Sequence, residues 1–351
     1  MKQAYRVAAA YVGAVVGAGF ASGQETVTFF TVHGTHGIKG LIVAGLLFSL
    51  LGFLTIKAAR ASSCYSHQAL LRLVLGRPLG TLVSFLFSLF LLAGLSVMLA
   101  GSRTVVQEYM GIPGWLGLGV CLGTVLLALL RRNRGLMDLN AFLVPVLLVA
   151  TLLVCWPAAA SGVTPAPQAY RGNWLLSSLL YFSYNSIIGM AVLAPLAREA
   201  SPVAGLLGGL ALGAAGLCIG LALIRTPEAL GLEVPMMHLA LAMHPLVGWL
   251  YGIGLWAAMT TTAMAGAYAT SLLLSDSTRI PFPCAATLVL LAALPLGTLR
   301  FSHLVATLYP LWGYLGLACF MAGLASILFT MGRTHPSPDH SKRDGTTRFH
   351  L

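Results

Sequence analysis

The sequence predicts an all-α membrane protein of about ten transmembrane helices, on three observations. Hydrophobic residues make up 58% of the 351 residues and charged ones only 8%, at a mean hydropathy of +0.88. A soluble protein needs more charge than that to cover its surface. Apolar runs of the ~20 residues that a helix needs to cross a bilayer recur along the chain. The basic residues fall between these runs, as the positive-inside rule expects. A net charge of +11 suggests nucleic acid at first sight, but this distribution points to the lipid bilayer instead and leaves nucleic acid out.

The runs cover 5–32, 38–56, 79–107, 114–130, 139–157, 174–197, 203–224, 246–274, 283–299 and 304–331. The stretch 234–245 is short and amphipathic, and reads as a surface helix or as an extension of the eighth run. MKQAYR before an apolar run mimics a signal peptide, but apolar character resumes through 26–32, so an uncleaved first span is expected. With the N-terminus cytoplasmic, only Lys39, Arg103, Arg171, Arg225 and Arg300 of the 20 basic residues fall outside. That bias fits an even number of spans in the cell membrane with both termini cytoplasmic. Residues 1–332 then form one transmembrane domain, with repeats at about 1–160 and 170–332, and 333–351 is a polar, disordered cytoplasmic tail.

The two halves match in length, with a long third member in each (79–107 and 246–274). Because five is odd, the second half enters from the opposite side, which makes the repeats inverted. The first member of each half is interrupted by Gly and polar residues, at Gly17 to Glu25 and at Ser183 to Gly189. Paired interruptions of this kind mark the solute site of a secondary transporter. The centres of spans one, six and eight fall near Ala18 and Gly19, near Asn185 and Ser186, and at Thr260, so one shared cavity at mid-depth is expected.

Gly17 and Gly19 flank Ala18, with Gly13 one turn earlier. Each glycine costs about 1 kcal/mol in a helix interior and permits unwinding, which frees backbone groups for a ligand. Gly13-x-x-x-Gly17 also fits close helix packing. Glu25 is the only acidic residue well inside an apolar run. It lies about 10 Å along the axis from the span centre. Three roles are open: proton carrier, partner of a substrate ammonium, or gate residue paired with a base. A carboxylate at the start of the second half-helix is the structural alternative. Ser22, Ser183, Asn185 and Ser186 offer further polar contacts. Of Thr260, Thr261 and Thr262, at most two can face one cavity.

Gly205-x-x-x-Gly209-x-x-x-Gly213 and Gly216-x-x-x-Gly220 read as packing faces. Arg103 and Glu108 near the outer end of span three offer a gate pair or a plain interfacial location. His33, His36 and His303 read as solvated loop residues. The six cysteines are scattered without CxxC or Cys/His spacing, so neither a disulfide framework nor a metal site is expected. No nucleophile elbow, P-loop or zinc pattern occurs, which argues against an enzyme or an ATP-driven pump.

The segments AYVGAVVGAGFASGQE and YFSYNSIIGMAVLAPLARE resemble the YkvI-type family of bacterial membrane proteins. That family is placed with the amino acid–polyamine–organocation transporters, which share the LeuT fold, and the resemblance runs along nearly the whole chain in span order. It implies five-plus-five inverted repeats, broken helices 1 and 6, and a small-molecule solute held between them by Gly17, Ala18, Gly19, Ser22, Ser183, Asn185 and Ser186. Glu25 takes a coupling or gating role. Many sodium-coupled members hold an ion between first-helix carbonyls and eighth-helix hydroxyls. This implies a sodium site from the carbonyls of Gly13 and Val16 with Thr260, Thr261 or Thr262. Phe20 stands where another branch of the fold uses an amide, so no second ion of that kind is implied. The implied function is secondary active transport of a small polar solute, an amino acid or related amine. Alternating access would couple it to sodium or protons, with no cofactor beyond the coupling ion. A ligand-sensing subunit, as in spore-germinant receptors, is the alternative on the same fold. Nothing in the chain points to an obligate partner, and oligomeric state is left open.

Overall fold

The computed structural model describes residues 2–131, 134–162 and 172–333, and among these every regular element is helical. The expected tail lies outside the described residues from 334 onward, as do Arg132 and Arg171. The first span is divided into three helices: α1 (Lys2–Val15), α2 (Ala18–Ser22) and α3 (Gln24–Phe29). After a 3-10 turn at Thr31–His33 come α4 (Thr35–Ala61), α5 (His67–Thr104), α6 (Gly114–Leu130) and α7 (Arg134–Ala160). The second half holds α8 (Trp174–Leu196), α9 (Pro202–Ile224), α10 (Pro235–Met243), α11 (Pro245–Thr278), α12 (Phe282–Gly297) and α13 (Phe301–Arg333). Each of the ten apolar runs coincides with one of these helices or, at the N-terminus, with the first three.

Among the described residues, six stretches are long and apolar enough to cross a membrane, namely Thr35–Ser62, Leu75–Tyr109, Phe142–Ala160, Trp174–Leu196, Pro202–Ile224 and Phe301–Ala322. Large apolar side chains such as Leu46, Leu50, Leu153, Trp156 and Leu250 stand exposed along the helices. In water such a surface would be a liability, whereas in lipid it is the solvated face.

Corresponding members of the two halves pack on each other: α4 on α9, α5 on α11, and α1 on α8. The α4–α9 seam is built from glycine. A Cβ on Gly45 would stand 2.7 Å from the Gly213 Cα, and Cβ atoms on Gly52 or Gly209 would run into the opposite backbone. The glycine face read from span seven is therefore the one that lets α9 meet α4 backbone to backbone.

Two expectations about helices are corrected. Helix 6 is not broken, because α8 runs without interruption through Ser183 to Gly189. Its polar side chains bond to their own helix: Ser183 Oγ and Ser186 Oγ donate to the carbonyls of Leu180 (2.9 Å) and Ser183 (2.7 Å), and Asn185 Nδ2 to that of Tyr181 (3.1 Å). Side chains satisfied in this way support a helix instead of ending it. The stretch 234–245 is neither a surface helix nor part of span eight. His244, in extended conformation, ends α10 and caps α11 through Nδ1 on the Leu246 amide, while Met236, Met237 and Ala240 are buried in the bundle.

The long third helix also contains a reversal. Gly76 takes φ 78° and ψ 169°, a conformation that only glycine adopts without strain. Residues 67–75 thereby fold back along the span, with the His67 ring 5.7 Å from that of Phe87. His33 is buried, not solvated, at the 3-10 turn.

The glycine seam gives a direct test. Gly209→Leu should lower the unfolding midpoint in detergent by several degrees, the overpacking penalty being ~3 kcal/mol. Gly119→Leu, at an exposed position with open space around it, should leave the midpoint unchanged.

Candidate functional site

The first helix breaks because the local sequence denies it hydrogen bonds. Val16 N–H still reaches the Val12 carbonyl (2.8 Å), but Gly17 N–H turns back to Val15 (2.9 Å). Gly17 itself is extended at φ −68° and ψ 178°. No backbone amide of the described residues donates to the carbonyls of Gly13 and Val16. A second interruption follows at Gly23, whose φ of 83° is the left-handed conformation that favours glycine. Ser22 staples this turn, donating to the Gly19 carbonyl (2.6 Å) and accepting from the Gln24 amide (3.2 Å). The turn swings Glu25, in the first turn of α3, back over Gly19. A Cβ on Gly19 would meet the Glu25 carboxylate and push it aside, so the glycine lets the carboxylate lie close over α2.

Around the break lies a cavity of about 270 Å³. Gly17, Ala18, Gly19 and Glu25 form one wall, Tyr184 and Asn185 of α8 another, and Phe90, Thr262 and Tyr309 close it. Glu25 is 5% exposed and accepts a hydrogen bond from the Tyr184 hydroxyl at 3.0 Å. Tyr184 and Tyr309 stand with ring centroids 5.3 Å apart, and Phe90 lies 5.9 Å from Tyr184 and 6.2 Å from Tyr309. Glu25 is the only charged residue in the lining, and no Lys, Arg or His faces it there.

The structure thus gathers Gly17, Ala18, Gly19, Glu25, Asn185 and Thr262 from the sequence candidates and directs the others elsewhere. Ser22 is consumed by the Gly23 turn. Ser183 donates across to the Gly313 carbonyl of α13 at 2.6 Å, and Ser186 bonds its own helix. Thr260 donates to the Trp256 carbonyl (2.9 Å) and lies against Cys121 of α6, while Thr261 bonds the Ala258 carbonyl (3.1 Å). Gly13 faces Val144 of α7, and the Val16 side chain is buried. Glu25, placed by depth outside the pocket, belongs to its wall, because the Gly23 turn shortens the path back to the centre. Phe90 and Tyr309 join the site without a sequence signal, since an aromatic residue in an apolar helix reads as core.

The two ends of the bundle differ. Toward the N-terminal end a second cavity of about 520 Å³ lies between α1 and α8, lined by Gln3, Arg6, Ala10, Pro195, Arg198 and Glu199. Ala14 and Ala191, at the edge of the central cavity, stand one helical turn from Ala10 and Pro195 on the same seam. At the opposite end α10 sits on the break, with Met236 and Pro235 over Gly23. Tyr251 of α11 bonds the Ala21 carbonyl of α2 (2.5 Å) and shares a hydrogen bond with Thr151 of α7 (2.8 Å). The buried Glu233 carboxylate accepts from Arg300 Nε (2.6 Å), Ser302 N (2.8 Å) and Ser302 Oγ (2.9 Å), clasping the α10 loop to α13. Arg103 donates to the Thr298 carbonyl and, among the described residues, makes no direct ion pair with Glu108.

No model of a described protein family matches the chain. It is 29% identical over 329 residues to the uncharacterized membrane protein YkvI of Bacillus subtilis strain 168, covering 90% of this chain and 93% of that one. It is 25% identical over 315 residues to the uncharacterized protein YyaD of the same strain, covering 87% and 91%. Among solved structures it superposes on the inward-facing conformation of Mhp1 with a TM-score of 0.63 at 12% identity, covering 90% of this chain and 73% of Mhp1. The manganese transporter of Eremococcus coleocola gives 0.60 at 15% identity, covering 92% and 78%.

The clasp makes a prediction. Charge-assisted hydrogen bonds to one buried carboxylate are among the stronger ties a loop can have. Glu233→Ala should speed amide exchange across 227–243 by about tenfold or more, while α4 and α9 exchange as before, in hydrogen-exchange mass spectrometry. Read together, sequence and superposition make this chain a membrane protein with the LeuT fold of these transporters, similar to YkvI along nine tenths of its length.

Proposed function

We propose that this chain is a ten-span secondary active transporter, built as five-plus-five inverted repeats, that moves a small solute carrying a positive charge. An amino acid presenting its ammonium group, or a related amine, fits that description. The observation that carries the proposal is the lone Glu25 carboxylate in the wall of a 270 Å³ cavity at the break in the first helix. An anion enclosed this way is costly unless paired, and one phenol hydroxyl does not neutralise it. A proton, a sodium ion or a solute ammonium must therefore occupy its side of the cavity at some stage of a cycle. The faces of Phe90, Tyr184 and Tyr309 favour a cation in the same place.

The coupling ion is sodium or a proton. Glu25 can hold either, and the Gly13 and Val16 carbonyls, left without backbone donors, together with Thr262 offer a sodium ion further oxygens. The arrangement of the ends supports an inward-facing state of an alternating-access cycle. The α1–α8 cavity lies one helical turn from the site at the N-terminal end, which the basic residues assign to the cytoplasm, whereas α10 and the Glu233 clasp cover the opposite end.

The test is uptake of radiolabelled amino acids and amines into proteoliposomes under an imposed sodium or proton gradient. Glu25→Gln should weaken binding of the transported cation by on the order of a hundredfold, the usual cost of stripping one partner from a buried charge pair. Gly17→Leu, which puts a side chain into open space at the cavity wall, should abolish uptake with the protein still folded. Gradient-driven uptake indifferent to both substitutions would overturn the site. Saturable binding without flux under any gradient would move the reading to a ligand-sensing subunit.

A further inference from the structure

The six cysteines are scattered in sequence, yet the fold brings two of them together. Cys155 of α7 and Cys218 of α9 lie with their sulfur atoms 2.9 Å apart. That is about 0.9 Å more than a disulfide bond, a gap that a small side-chain rotation closes. Both are free thiols, Cys155 buried and Cys218 half-buried. They share a depth, five residues before α7 ends at Ala160 and six before α9 ends at Ile224. One turn further along, Arg225 donates to the Ala159 carbonyl, so the two helices are already tied at this end of the bundle.

What the pair would hold makes it more than a packing contact. One turn before Cys155, Thr151 meets the Tyr251 hydroxyl, which donates to the Ala21 carbonyl in the α2 half of the broken helix. On the other side, α9 is locked to α4 by the glycine seam. A bond between Cys155 and Cys218 would thus fasten α7 to the α4–α9 pair, one turn from the relay that reaches the site.

We propose that Cys155 and Cys218 form a reversible disulfide, a redox clasp that restrains α7 against α9. The oxidant is a membrane-soluble quinone or another two-electron acceptor. Two S–H bonds break and one S–S bond forms, and both electrons and both protons pass to the quinone, which becomes the hydroquinone. A dithiol reverses the step by exchange, regenerating the two thiols and leaving with its own disulfide. Bond formation does not depend on the transport reading; an effect on flux would.

The experiment uses the full-length protein in liposomes. It is treated with diamide, a membrane-permeant two-electron oxidant, or with dithiothreitol, and then blocked with N-ethylmaleimide and digested without reduction. The expected result is a peptide pair joined through Cys155 and Cys218, lost on reduction and absent from both Cys155→Ser and Cys218→Ser, but kept in Cys121→Ser. Hydrogen exchange across 142–160 should slow severalfold in the oxidised protein and not in the Cys218→Ser variant. Alkylation of both cysteines after diamide treatment would overturn the proposal. A cross-link that leaves exchange across 142–160 unchanged would overturn the restraint. Neither readout requires flux, so failure of the transport reading would show separately in the proteoliposome assay.

Discussion

A carboxylate shut into an aromatic pocket inside a membrane protein needs a positive partner, and much of this architecture follows from where that carboxylate is held. Glu25 reaches the centre of the bundle because the helix carrying it fails twice, at Gly17 and at Gly23. The first failure leaves backbone carbonyls without amide partners. The second turns the chain at Gly23 so that the carboxylate lies over Gly19, where a side chain would push it aside. Tyr184 supplies one hydrogen bond, and the rings of Phe90 and Tyr309 enclose the rest. In the proposed transport cycle burial is what gives this carboxylate its pull, because a charge kept from water interacts far more strongly with a cation beside it.

A broken helix is weak by itself, so its surroundings have to be firm. The α4–α9 seam, with backbones in contact through Gly45, Gly52, Gly205, Gly209 and Gly213, forms a rigid spine beside it. α8 adds a second continuous wall, with Ser186 and Asn185 bonded to its own carbonyls and Ser183 tied to Gly313 of α13. Against these, α10 and its Glu233 clasp close one end, while the α1–α8 seam carries a cavity at the other. The closed end rests on a handful of hydrogen bonds and the spine on dense packing, so movement is cheaper at the first than within the second.

Much of this was legible in the sequence because the signals were local. Apolar runs of membrane length marked the ten helical segments, and the glycines of GAVVGAGFASGQE marked the break at its actual place. The matched long members 79–107 and 246–274 correspond to α5 and α11, which pack on each other, but the span lengths did not announce that contact. Where the reading failed, the deciding interaction was a choice of partner that spacing does not carry. Ser183, Asn185 and Ser186 looked like a second break but bond back to α8, and Thr260 points toward Cys121 instead of the cavity. The run Leu75-Gly-Arg-Pro78 held the turn signal for the reversal at Gly76, whereas nothing local announced that Tyr309 would face Glu25 or that Cys155 would meet Cys218. Those contacts exist only once helices far apart in the chain are packed.

The central claim is that the break in the first helix is the solute site and that Glu25 is its charge partner. The most direct measurement is a structure of the protein in lipid nanodiscs with a bound solute found by ligand screening. The account predicts solute density between Gly17–Gly19, Asn185 and Tyr309, with the cationic nitrogen within hydrogen-bond reach of the Glu25 carboxylate. Solute bound elsewhere with this cavity unfilled, or a first helix continuous through Gly17, would contradict it.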